Sequence, residues 1–145
     1  MNATKTMRRL SVLLAALALG CTSAAGCGGS KEYEVRGSER LPGADAEMVV
    51  TPMDSGNFKV TVDVENLAPP ERLGAGLSHY VVWVNEPNQE PRRLGYLPLD
   101  GDREAEMYGT TVATGFEVMV TAEHDADALF PSEHVVLRQT VRMDS

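Results

Sequence analysis

Apolar and polar positions alternate with period two along most of the chain. In "NFKVTVDVEN", Phe58, Val60, Val62 and Val64 fall on one side and Lys59, Thr61, Asp63 and Glu65 on the other. In "FEVMVTAE", Phe116, Val118, Val120 and Ala122 share a face, opposed by Glu117, Thr121 and Glu123. Successive side chains of a strand point to opposite faces, so each run reads as a half-buried strand. Weaker runs of the same kind are "EYEVR", "AEMVVTPM", "RRLGYLPL", "REAEMYGTTV" and "VVLRQTVRM". Asp54-Ser55-Gly56-Asn57 separates two of them with turn-forming residues and predicts a hairpin. "DGD", Asp100 to Asp102, predicts a second tight turn, expected to be another hairpin. From Tyr33 onward no segment sustains a helical period. Short strands divided by turn signals predict an all-β fold, a small immunoglobulin-like sandwich of about seven to eight strands.

One strand departs from alternation. "SHYVVWVNEP", Ser78 to Pro87, is apolar at five consecutive positions and holds the single tryptophan. Its parity puts Tyr80, Val82 and Val84 on one face and Val81 and Trp83 on the other. Only one face of a sandwich strand meets the inter-sheet core. Immunoglobulin-like domains commonly bury a tryptophan there, so Trp83 is assigned to that core. Tyr80, Val82 and Val84 then need a second cover. The expected cover is the loop Leu67 to Ser78; the alternative is a partner protein. A second long loop, His124 to His134, carries Leu129 and Phe130. These two are expected to fold back and plug one end of the sandwich, or else to form an exposed contact tip.

The N-terminus changes the picture of where the domain works. Lys5, Arg8 and Arg9 precede an apolar run, Leu10 to Leu19, of signal-peptide length and too short for an ordinary membrane span. Cysteines follow in "ALGC" and "AAGC", at Cys21 and Cys27. This arrangement resembles the bacterial lipobox, in which the cysteine becomes the lipidated first residue. Small residues before Cys27 favour it over Cys21, where Leu19 precedes the glycine. The expected organisation is a signal peptide at 1–26, a lipidated cysteine and flexible tether at 27–32, and the sandwich at 33–145. The localisation implied is the bacterial cell envelope, on the extracytoplasmic side. Gly28, where an aspartate is absent, points to the outer membrane in a diderm cell.

Charge narrows the partners. The chain has 13 basic and 21 acidic residues, a net charge of −8. Removing Lys5, Arg8 and Arg9 with the signal leaves 10 basic residues against the same 21 acids, hence −11. Such a domain is unsuited to nucleic acid, whose phosphates need a basic face. It also lacks a basic stripe for anionic lipid. The acyl chains are therefore the expected membrane contact, with the protein body standing off. With Cys27 acylated no disulfide is available, and the core alone must hold the fold.

Chemistry is sparse. His124 and His134 bracket Asp125 and Asp127, a set of donors able to bind a divalent ion. No pair among them has the i, i+2 or i, i+4 spacing of strand or helix sites, so a solvated acidic loop is the simpler reading and no metal is assigned. "DGDREAE" lacks the ligand spacing of a calcium loop. There is no Gly-x-Ser-x-Gly elbow. Ser78 and His79 are adjacent in a predicted strand and should point apart. The residues call for no cofactor and assign no catalytic group.

The second half of the chain carries a resemblance. "YVVWVNEPNQEPRRLGYLPLDGDREAEMYG" followed by "GFEVMVTAEHDADALFPSEHVVLR" resembles the extracytoplasmic C-terminal domain of anti-sigma-K factors, over about residues 79 to 141. The shared elements are the strand ending near Trp83, the Asp-Gly turn, Phe116-Glu117-Val118 leading into Thr121-Ala122-Glu123, and Pro131-Ser132 before Val135 to Leu137. Asp125, Asp127 and Glu133 stand where that family often has glycines. A cytoplasmic sigma-binding domain with its His-x-x-x-Cys-x-x-Cys motif and a spanning helix are absent from the sequence, so sigma binding does not carry over. The resemblance implies the sandwich fold and the extracytoplasmic side. The expected function is a non-catalytic envelope lipoprotein, a protein-binding or structural module. The alternatives are an envelope sensor or regulatory partner, and a small-ligand or metal-binding lipoprotein.

Overall fold

The computed structural model describes residues 29–144, and the segment expected to be a signal peptide, with Cys21 and Cys27, lies outside them. Eight strands follow in order: β1 (Lys31–Arg36), β2 (Asp45–Pro52), β3 (Phe58–Glu65), β4 (His79–Asn85), β5 (Arg92–Leu97), β6 (Ala105–Thr111), β7 (Gly115–Glu123) and β8 (Val135–Arg142). They form two four-stranded antiparallel sheets, β1-β2-β3-β6 and β5-β4-β7-β8. The fold is a β-sandwich. Its connectivity is immunoglobulin-like. β2, β3 and β6 take the places of strands A, B and E, and β4, β7 and β8 those of C, F and G. β5 flanks β4, and β1 extends the other sheet. Lys31 and Glu32, expected in the tether, already belong to β1, where Lys31 faces Val50. Among the described residues no helix is long and apolar enough to cross a membrane.

Local chemistry accounts for the turns. Gly56 has φ +83, a left-handed conformation that glycine adopts without steric cost, and it closes the β2–β3 hairpin. A β-carbon at Gly37 would run into the carbonyl of Leu41, so the β1–β2 connection closes tightly only with glycine there. The "DGD" turn is not a hairpin. β5 and β6 lie in different sheets, and Asp100 Oδ1 accepts the N–H groups of Asp102 (2.9 Å) and Glu104 (3.1 Å) while the chain crosses between layers.

The main core lies between the sheets. Val60, Val62 and Val64 of β3 meet Tyr80, Val82 and Val84 of β4 and Val118, Val120 and Ala122 of β7. The alternative of a partner surface at Tyr80, Val82 and Val84 is thus corrected: all three are buried between the sheets. Parity alone shows that two faces of β4 are apolar, not which one meets the opposite sheet. A bulge between Val82 and Trp83 shifts the register against β5 and leaves Leu94 as the extra residue, half-buried on the same core.

Loop Leu67 to Ser78 closes one end of this core with Leu67, Ala68 and Leu77. Tyr80 fastens it, its hydroxyl donating to the Ala68 carbonyl at 2.6 Å. Burial first, then the nearby Glu71 charge, pushes the Tyr80 pKa up to about 12, with Arg103 opposing. An unfolded tyrosine ionises near pH 10. The contribution is fully present below pH 10, because there both states hold the proton. Between about pH 10 and 12 the unfolded chain loses its proton first, so stability falls as pH rises. The fall attributable to Tyr80 is expected to be roughly 2–3 kcal/mol. Urea titrations at stepped pH check it, and Tyr80→Phe should flatten that part of the profile.

Strand directions define two poles. The chain enters β1 at the pole holding the ends of β2, β4, β6 and β8. The β1–β2, β3–β4, β5–β6 and β7–β8 connections leave from the other.

Candidate functional site

β4 and β7 are buried on both faces, and the second face is where the fold departs from a plain sandwich. Val81, Trp83 and Met119 form a separate cluster on the outer face of the β5-β4-β7-β8 sheet. Trp83 is buried as expected, but in this outer cluster and not in the inter-sheet core. Ala128 and Val135 pack over it. The cover is therefore the loop His124 to His134, where Leu67 to Ser78 had been expected to serve. Thr121 and Glu123, read as solvent-facing, are buried by the same loop.

Buried polar groups need partners, and here they form one chain of hydrogen bonds. Trp83 Nε1–H donates to Thr121 Oγ1 at 2.8 Å. The Thr121 hydroxyl donates to Glu123 Oε1. The Ser132 N–H donates to the same oxygen at 2.7 Å. Ser132 Oγ donates to the Ala122 carbonyl at 2.8 Å and accepts from the His134 N–H at 3.1 Å. At its other limb the loop is tied to β5, where Arg93 Nη1 donates to the Ala126 carbonyl and to Asp127 Oδ1, both at 3.0 Å. That ion pair is exposed and contributes under about 1 kcal/mol. The buried carboxylate end holds the loop more firmly, since bonds to a charged acceptor are worth about twice neutral ones.

Leu129 and Phe130 sit between these two attachments. They are 80% and 61% exposed. The expected plug is corrected: the shorter Ala128 takes the inward position, and the next two side chains project from a loop fastened on both sides. Pairs of large apolar side chains held out on an anchored loop are a feature of contact surfaces.

The donor set considered for a metal does not converge. His124 Nδ1 lies 2.9 Å from the Gly76 carbonyl, His134 Nδ1 lies 3.3 Å from Arg40 Nη1, and Asp127 pairs with Arg93. Among the described residues no group of three or more His, Cys, Asp or Glu is placed to hold a metal ion.

Ser78 and His79 do meet, contrary to the strand-parity expectation. Ser78 precedes β4, so its side chain is not bound by the strand's alternation, and its Oγ lies 2.8 Å from His79 Nδ1. The same hydroxyl lies 2.6 Å from the His124 carbonyl. One hydroxyl proton cannot serve both acceptors. Donation to the closer carbonyl leaves His79 Nδ1–H as a donor to Ser78, the tautomer in which this nitrogen is no base. The pair borders a cleft of about 320 Å³ shared with Pro69, Tyr96 and Pro98. A wider cleft of about 790 Å³ opens between the β4–β5 turn and the ends of β7 and β8, and the ion pair of Glu117 with Arg138, at 3.4 Å, is part of its lining.

The outer-face network was missed in the sequence, although Thr121 and Glu123 share the parity of Met119 and pair with a strand apolar on both faces. A scan of the chain against protein-family models finds no match, and a search among curated proteins finds no similar one.

Proposed function

We propose that this chain is an exported bacterial envelope lipoprotein, acylated on Cys27, whose sandwich is a non-catalytic protein-binding module. The observation that carries the binding reading is the tip Leu129-Phe130, exposed on a loop fixed by Glu123 and Arg93. A loop already ordered loses little conformational freedom on association, so its apolar area goes further toward affinity. Phenylalanine is among the residues enriched at interface cores. The lipidation reading rests on the "AAGC" sequence. The resemblance to anti-sigma-K extracytoplasmic domains supports a regulatory form of the same role, in which the partner spans the membrane.

Leu129→Asp is expected to change stability by no more than about 0.5 kcal/mol, because the side chain is already in solvent. The same substitution should abolish partner contact. A photo-crosslinking residue at Phe130 in the full chain should give a discrete adduct in intact cells, lost when Leu129→Asp is added. No adduct, or an adduct that persists with Leu129→Asp, would count against the binding surface. For the anchor, incorporation of labelled palmitate should vanish in Cys27→Ala and persist in Cys21→Ala.

A further inference from the structure

The pole at which the chain enters β1 has its own apolar rim. The register places Pro52 opposite Phe58, and Phe58 opposite Thr111. Met53 and Val112 continue this row outward, 42% and 70% exposed, with Phe58 half-buried beside them. Ser30 Oγ donates to Thr51 Oγ1 at 3.1 Å, so the chain leaves the sheet alongside this rim. Only Gly28 and Gly29 separate Ser30 from Cys27. A fully extended chain covers at most about 3.6 Å per residue, so the Cys27 Cα lies within about 11 Å of that of Ser30. A bilayer that holds acyl chains on Cys27 therefore lies close to this pole, and the body has only a short tether on which to stand off. Charge does not oppose contact. Within two residues of the turns of this pole and of its two chain ends, Lys31, Lys59, Arg92, Arg93 and Arg142 are matched in number by Glu32, Asp54, Glu86, Glu90 and Asp144. The −11 of the mature chain thus lies away from it.

We infer that this pole seats on the membrane, with Met53, Phe58 and Val112 in the interfacial layer, so that the domain is held upright with the β1–β2 turn farthest from the lipid. The inference rests on the reading of Cys27 as the lipidated residue. Interfacial seating of a small apolar rim beside covalent acyl chains adds a second membrane signal to the first.

The test uses the full chain, processed in bacteria and reconstituted into phosphatidylethanolamine vesicles with a minor share of phosphatidylglycerol. Val112→Cys and, separately, Met53→Cys receive a polarity-sensitive fluorophore. Gly43→Cys, on the exposed β1–β2 turn with open space around it, is the reference. Both near-pole labels should blue-shift on reconstitution and be quenched by lipids brominated in the acyl chain, and the Gly43 label should do neither. Labels at 53 and 112 that behave like the one at 43, on a protein whose N-terminal peptide mass shows acylated Cys27, overturn the seating alone. An N-terminal mass without acyl chains overturns the lipid reading and the seating with it.

Discussion

Replacing Trp83 by alanine should destabilise the domain by about 3–5 kcal/mol, the usual cost of removing a large buried aromatic. Trp83 is fully buried although it lies outside the inter-sheet core. Two losses combine. The indole area under Ala128 and Val135 leaves a cavity at the junction of sheet and loop, and the donor to Thr121 is removed. Against a typical total of 5–15 kcal/mol the change is large. Urea unfolding followed by far-UV circular dichroism is the measurement, since the variant has no tryptophan to report. The midpoint should fall with the slope unchanged. Trp83→Phe retains most of the apolar area but not the N–H, and should cost about 1–2 kcal/mol. A Trp83→Ala midpoint close to that of the unaltered protein would mean that the indole is in solvent and the loop is no cover.

The second large effect is expected at Glu123. Its carboxylate accepts from the Thr121 hydroxyl and from the Ser132 N–H in a buried setting. Glu123→Ala leaves both donors without their acceptor, and each such loss costs about 1–3 kcal/mol. A total of about 2–6 kcal/mol is expected. Glu123→Gln keeps one carbonyl oxygen in place and should cost about 1 kcal/mol, because the bond is no longer charge-assisted. The distinguishing readout is local. Hydrogen exchange at the Ser132 and His134 amides should accelerate in Glu123→Ala more than exchange in β2 and β3, since the loop opens before the sandwich does. Uniform acceleration through all eight strands would instead make Glu123 a general stabiliser with no special hold on the loop. The two sites share Thr121, so Trp83→Phe and Glu123→Gln should be non-additive in a double-mutant cycle.

Much of this architecture was legible from residue spacing. Every run read as a strand is one, because period-two burial of Val60, Val62 and Val64, or of Phe116, Val118 and Val120, is a local property of a pleated backbone. The Asp54 to Asn57 hairpin was legible for the same reason, since the left-handed residue at Gly56 is a local requirement. Asp100 to Asp102 reads equally well as a turn. Whether a turn joins two strands of one sheet or crosses to the other sheet is not a local matter, and there the hairpin expectation failed. The candidate contact residues divided along the same line. Tyr80, Val82 and Val84 lie in a regular strand, yet their face was assigned wrongly. Leu129 and Phe130 lie in a loop, where no period constrains them, and they proved to be exposed.

The sequence by itself determined the strands, the turn chemistry, the net acidic charge and the fact that β4 is apolar on both sides. These follow from side-chain type and spacing along a few residues. Only the tertiary structure decided which side of β4 faces the opposite sheet, that the loop His124 to His134 and not Leu67 to Ser78 covers Trp83, and that Glu123 is the buried anchor beneath it. The physical reason is that a strand's two faces are equivalent until the second sheet and the long loops are placed. Their placement depends on contacts between residues far apart in the chain, such as Ser38 with Val135 and Tyr80 with Ala68, that no local pattern records.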